Sequence, residues 1–155
     1  MPRLLVMTPE SAECWALLPY LFERIEKMAV EFGGGGYGDR LVATLKAAFA
    51  CPGPKIRAWV ATGDLQHNVP HVLGHAVATI EKDGLGDYCL VWQAKTDFPM
   101  PSVSRATWDD LLEWSHDQNA RRVVVAARGG RALGMAKRYG FTESYVVLTK
   151  FLDKG

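Results

Sequence analysis

The chain is predicted to fold as one α/β domain, a twisted sheet of mixed but mostly antiparallel strands with helices on both faces. Three observations carry this. Apolar residues recur at spacings of three and four at Trp15, Leu18, Phe22, Ile25, Ala29 and Phe32, the stripe of an amphipathic helix. The middle of the chain changes period: 55–62, 71–82 and 87–96 alternate or run apolar over strand lengths, separated by turn-rich stretches. The run Val123, Val124, Val125, Ala126 and Ala127, bounded by charge and glycine, reads as a strand covered on both faces.

Taken in order, 3–7 is a short strand. Thr8 and Pro9 open the first helix, Thr8 as its cap and Pro9 at its first position. Pro19 predicts a kink or a division into two shorter helices. Glycines at 33–36 and 38 stop this helix, and Asp39 caps a second one running to about Ala50, with Leu41, Leu45 and Ala48 inward. Cys51, Pro52, Gly53 and Pro54 end it. The segment DGLGD at 83–87 is a hairpin signal, which makes the strands on either side antiparallel. A third helix spans 104–119, with Ser104 as its cap and Trp108, Leu111, Leu112 and Ser115 on its core face. Trp114 falls off that stripe and is expected to be partly exposed. A short helix at 131–138 and a final strand at 144–152 complete a sheet of about six or seven strands.

A chain of 155 residues suits one domain and buries roughly 68–70% of its unfolded surface, so it needs no staples. Eighteen Lys and Arg against seventeen Asp and Glu leave a net charge of +1, which excludes a polyanion-wrapping protein; no nucleic-acid partner is expected. Cys14, Cys51 and Cys89 are odd in number and far apart, which excludes a disulfide framework and fits the cytoplasm. The apolar run near Met1 is too short for a signal-peptide core, and no stretch approaches the roughly 18 apolar residues that span a membrane.

Chemistry-bearing residues are few. The glycine run follows a helix and lacks a trailing Lys-Ser/Thr, so it reads as a flexible or substrate-gating loop and not as a phosphate cradle. A general base would be a carboxylate or imidazole beside a reacting amine, and His75 and Glu81 on the central strands are the candidates, with His116 on the third helix. His75, mid-strand, either faces a cleft or packs as a buried, hydrogen-bonded ring. Glu81 and His116 read as solvated. His67 and His71 flank a proline loop with no third ligand, so no metal is expected. The cluster Arg121, Arg122, Arg128, Arg131, Lys137 and Arg138 reads as solvated ends of elements.

The element order β-α-α-β-β-β-α-β-α-β is similar to that of the GNAT superfamily of acyl-CoA-dependent N-acetyltransferases. The segment VLGHA at 72–76 resembles that family's third strand, in which a small residue lets substrate approach. Ala132 through Gly140 and Phe141 resembles its late N-x-x-A…Y-x-x-x-G-F helix and turn, and 146–152 resembles its closing strand. The resemblance implies acetyl-CoA as donor and a primary amine as acceptor. It implies that main-chain groups of Trp92, Gln93 and Ala94 hold the pantetheine arm in a gap between two parallel strands. The donor's pyrophosphate would lie at the next helix's N-terminus, at Ser102, Val103, Ser104, Arg105 and Ala106.

The chain departs from that pattern at three places. Residues 100–107 contain no glycine, Gly129 stands at the asparagine position, and Ala136 stands where a tyrosine protonates the leaving thiolate. Tyr139, three residues on, points to another helix face and reads as a packing residue. The expectation is therefore an N-acetyltransferase with weak or lost catalysis. The alternative is a non-catalytic structural protein of the same fold, working with assembly partners, as a homo-oligomer or within a virus particle.

Overall fold

The computed structural model describes residues 2–33, 36–63, 71–125, 134 and 136–142. The element order is β1 (Arg3–Val6), α1 (Ala12–Gly33), α2 (Gly36–Ala50), β2 (Ile56–Thr62), β3 (Val72–Asp83), β4 (Gly86–Thr96), α3 (Pro101–Asp117) and β5 (Arg122–Val125). The strands lie in sequence order in one sheet. β1 to β4 pair antiparallel, and β4 pairs with β5 in parallel. The described sheet has five strands; the expected strand at 144–152 lies outside the described residues, as do half of 131–138 and all of 126–130.

Two cores sandwich the sheet because alternate strand residues point to opposite faces. Ala58, Val60 and Val77 meet Leu17, Leu21, Ile25, Leu41 and Leu45 of α1 and α2. Trp59, Ala76, Ala78 and Val91 face the other way, onto Leu111 and Trp114 of α3. Helices on both faces are thus observed. No helix among the described residues is long and apolar enough to cross a membrane.

Several local expectations shift. α1 starts at Ala12 because Ser11, not Thr8, caps it: the Ser11 Oγ accepts the Cys14 N–H at 3.3 Å, and the Trp15 indole pins the preceding turn by donating to the Pro9 carbonyl at 2.8 Å. Pro19 neither splits nor ends α1. It lies on the exposed face, where water can serve the carbonyl that loses its partner. The second helix begins at Gly36, so Asp39 sits in its first turn instead of at the cap. A Cβ on Gly38 would stand 2.8 Å from the Ala29 Cβ, so this glycine is what lets α2 approach α1. Leu112 is exposed, and Trp114 is buried, edge-on to Trp59 with centroids 6.0 Å apart. The face that α3 turns to the sheet is set by Leu111, Trp114 and Ser115.

Candidate functional site

The site is organised by an irregularity in β4. Gln93 opposes Val77 and Val91 opposes Ala78, so Trp92 is one residue in excess of β3. Such a bulge breaks the strict alternation of faces. Trp92 packs on the core beneath α1 and α2, and adjacent Gln93 reaches the Ile25 carbonyl on that same face. The bulge also falls beside the last described pair of the β4–β5 ladder. The parallel ladder runs from Tyr88–Arg122 to Val91–Val125, and Trp92–Thr96 continues past the last described pair.

Gln93 lies at the centre of a buried polar chain. Its Oε1 stands 2.8 Å from His75 Nε2, and its Nε2 donates to the Ile25 carbonyl at 3.0 Å and to the Tyr37 hydroxyl at 3.3 Å. Arg24 Nε donates to His75 Nδ1 at 3.2 Å, so the imidazole hydrogen sits on Nε2 and is given to Gln93. The Arg24 fork is closed by Asp97, at 3.0 and 3.3 Å. Burial, above all, pushes the His75 imidazole down to about 4; the Gln93 hydrogen bond opposes that shift and the Arg24 charge adds to it. His75 is therefore a buried, hydrogen-bonded ring that also borders a cleft, so both features open in the sequence occur together. With both nitrogens engaged, the ring has no lone pair to offer an amine.

Glu81 is placed differently from expectation. It is half-buried, and it accepts from the Thr79 hydroxyl at 2.9 Å, which in turn accepts the Trp92 indole N–H at 2.8 Å. Tyr37 stacks on Trp92 with centroids 5.6 Å apart and planes 23° apart. Together Tyr37, Trp92, Thr79 and Glu81 line a cleft of about 180 Å³, along with Arg40 and Leu41 of α2 and Lys55. A second cleft of about 300 Å³ lies beyond the Gln93 chain, between α1 and the ends of β3 and β4; His75, Arg24 and Asp97 line it. Gly74 lets the strands meet at this end: a Cβ there would stand 2.9 Å from the Lys95 carbonyl oxygen. The small residue in VLGHA thus serves the packing of β3 on β4.

The residues expected at the donor's pyrophosphate cluster at the start of α3. Ser104 is not its cap: its N–H bonds the Met100 carbonyl at 2.9 Å, inside the helix, and Met100 makes no side-chain cap. Pro101 has no N–H, which leaves Ser102 and Val103 as the first-turn residues whose amides have no intrahelical acceptor. Ser102, Arg105 and Ala106 are exposed, Val103 and Ser104 half-buried. Ala94 pairs with Ala76 across β3 and is exposed. His116 is exposed on the far end of α3, away from both clefts. Ala136 is buried, Tyr139 packs on Trp108 with centroids 5.5 Å apart, and Gly129 lies outside the described residues. Arg122 is not merely solvated: it pairs with Asp83 and lies over the Tyr88 ring. No group of three or more metal-ligating side chains occurs among the described residues.

Sequence reasoning missed Arg24, Tyr37, Thr79, Arg40, Lys55 and Asp97. Tyr37, an aromatic residue inside the glycine run, carried a usable signal. Arg24 carried none, since it lies among the polar positions of an amphipathic helix.

No family model and no curated protein matches the chain. Solved structures do. A predicted acetyltransferase from Clostridium acetobutylicum, solved with acetyl-CoA, superposes with a TM-score of 0.68 at 12% identity, over 96% of each chain. An acetyltransferase of Trypanosoma brucei gives 0.63 at 15% identity, over 98% of this chain and 100% of its own. The chain has the GNAT fold. An aminoglycoside acetyltransferase from an uncultured soil sample, in complex with sisomicin, gives 0.64 at 13% identity, over 99% and 97%. At such identities the likeness is one of architecture, and in the GNAT fold of this chain the bulged β4 and the cleft beside it are the features with chemical content.

Proposed function

We propose that the protein is an acyl-CoA-dependent N-acetyltransferase with slow turnover, acting on an amine bound in the cleft beside Trp92. One observation carries the reading. Trp92 is at once the extra residue of the β4 bulge and a lining residue of the cleft that holds Glu81. An extended donor along Trp92, Gln93 and Ala94 would thus end where an acceptor amine could stand. The residues present fit such a donor: the Ser102 and Val103 amides at the start of α3 suit an anion, with exposed Arg105 near.

An ammonium ion must lose a proton before it can act as a nucleophile. The Glu81 carboxylate, oriented by Thr79, is the group on this cleft able to take it, directly or through one water. When bound, acetyl-CoA supplies a thioester-activated acetyl group, so that a C–N bond replaces the C–S bond. Of the two protons the nitrogen gives up, one leaves through Glu81 to solvent and the other ends on the sulfur. Ala136 offers no hydroxyl for that second transfer, and a missing general acid typically costs about 10²–10⁴ in rate. His75, Gln93 and Arg24 act as positioning residues that hold Tyr37 against Trp92.

The test is calorimetric titration with acetyl-CoA, followed by thiol release in the presence of amines. Micromolar binding with measurable release is expected. Absence of binding at millimolar acetyl-CoA would overturn the reading and favour a non-catalytic role within an assembly.

A further inference from the structure

We propose that the cleft beside Trp92 takes a small amine bearing an anionic group at its other end, of the amino-acid type, in preference to a polyamine. This rests on the transferase reading and names the acceptor class for that cleft. Three charged side chains line it: Glu81 on β3, Arg40 on α2 and Lys55 just before β2. They do not neutralise one another. Glu81 accepts from Thr79, and no ion pair among the described residues joins it to Arg40 or Lys55. The main chain of each cationic residue is anchored. The Lys55 carbonyl accepts the Ile80 N–H at 3.0 Å, and the Arg40 carbonyl accepts the Thr44 hydroxyl at 2.7 Å.

A carboxylate and two cations on one cleft, none paired with another, complement a ligand whose charges are split in the opposite sense. The ammonium faces Glu81 and the anion faces Arg40 and Lys55. A second ammonium would instead meet two like charges. Leu41 and the Tyr37–Trp92 ring pair leave apolar surface for a short alkyl stem. The volume of about 180 Å³ lies below the roughly 300–1,000 Å³ of clefts that enclose drug-sized ligands, so the acceptor is small.

The experiment measures binding of three probes of matched length to the full chain by ligand-observed NMR: 4-aminobutanoate, pentylamine and 1,4-diaminobutane. Two exposed ion pairs together favour 4-aminobutanoate over pentylamine by about tenfold, with the diamine weakest and the preference shrinking as salt rises. Arg40→Ala combined with Lys55→Ala brings 4-aminobutanoate down to the level of pentylamine. Both side chains are exposed, so their removal opens no cavity. A diamine that binds as tightly as 4-aminobutanoate, a double variant that keeps the preference, or no binding of any probe at millimolar concentration would overturn the inference. Failure of acetyl-CoA to bind would overturn the transferase reading alone, because the charge preference is read without turnover.

Discussion

His75 and Gln93 lie on adjacent strands with Nε2 and Oε1 2.8 Å apart, and neither side chain has appreciable contact with water. The pair closes because Arg24 fills the other imidazole nitrogen, which fixes the ring's tautomer and thereby the amide's orientation. From that orientation Gln93 reaches Tyr37, and Tyr37 stacks on Trp92.

Acid should weaken the fold through His75. Its folded value of about 4 lies below the 6.5 of an unperturbed imidazole, so between these pH values the unfolded chain binds more protons than the folded one. Stability is full above about 6.5 and falls as pH drops toward 4, by a total on the order of 3 kcal/mol. Urea midpoints measured from pH 7 to 4.5 should show the decline. His75→Gln should flatten it; an unchanged slope in that variant would assign the acid sensitivity elsewhere.

Gln93→Leu removes the acceptor of the His75 Nε2 hydrogen and the donor to the Ile25 carbonyl. Leaving buried partners unsatisfied costs about 1–3 kcal/mol, read as a lower denaturation midpoint. Tyr37→Phe loses one long bond of 3.3 Å and should cost less.

Glu81→Gln should lower kcat by about 10²–10⁴ while acetyl-CoA affinity stays at the wild-type level. The check pairs steady-state thiol release with calorimetry. A loss confined to acetyl-CoA binding would move Glu81 out of the acceptor cleft.

On the opposite face, Asp110 accepts the Trp59 indole N–H at 2.6 Å and pairs with Arg57 at 3.1 Å. Asp110→Ala leaves the indole of a fully buried tryptophan without its acceptor and should cost about 1–3 kcal/mol, without altering the binding of amines in the cleft beside Trp92. Thermal unfolding of the variant, with the same NMR binding assay, tests both halves.

Much of the fold was legible because its elements obey simple periods. The three central strands and their hairpin were placed within a residue or two, since alternation of apolar and polar side chains is a local property. Helix ends were less legible. Thr8 and Ser104 are good capping residue types, yet Ser11 caps α1 and Met100 begins α3 without a side-chain cap, because neighbouring contacts outweigh intrinsic preference. Among the candidate bases, His75 and Glu81 could be found as titratable residues on central strands, but their surroundings could not.

Composition, apolar periodicity and turn residues determined by themselves that this chain is an α/β protein with a mixed sheet, because those signals lie within a few neighbouring residues. The tertiary structure alone decided which polar groups meet. Arg24 and His75 are 51 residues apart, and Gln93 and Tyr37 are 56 apart. A bulge at Trp92, set by the pairing of β4 with β3, turns two consecutive side chains to one face. Such long-range register follows from packing of the whole sheet against α1 and α2, and no local pattern encodes it.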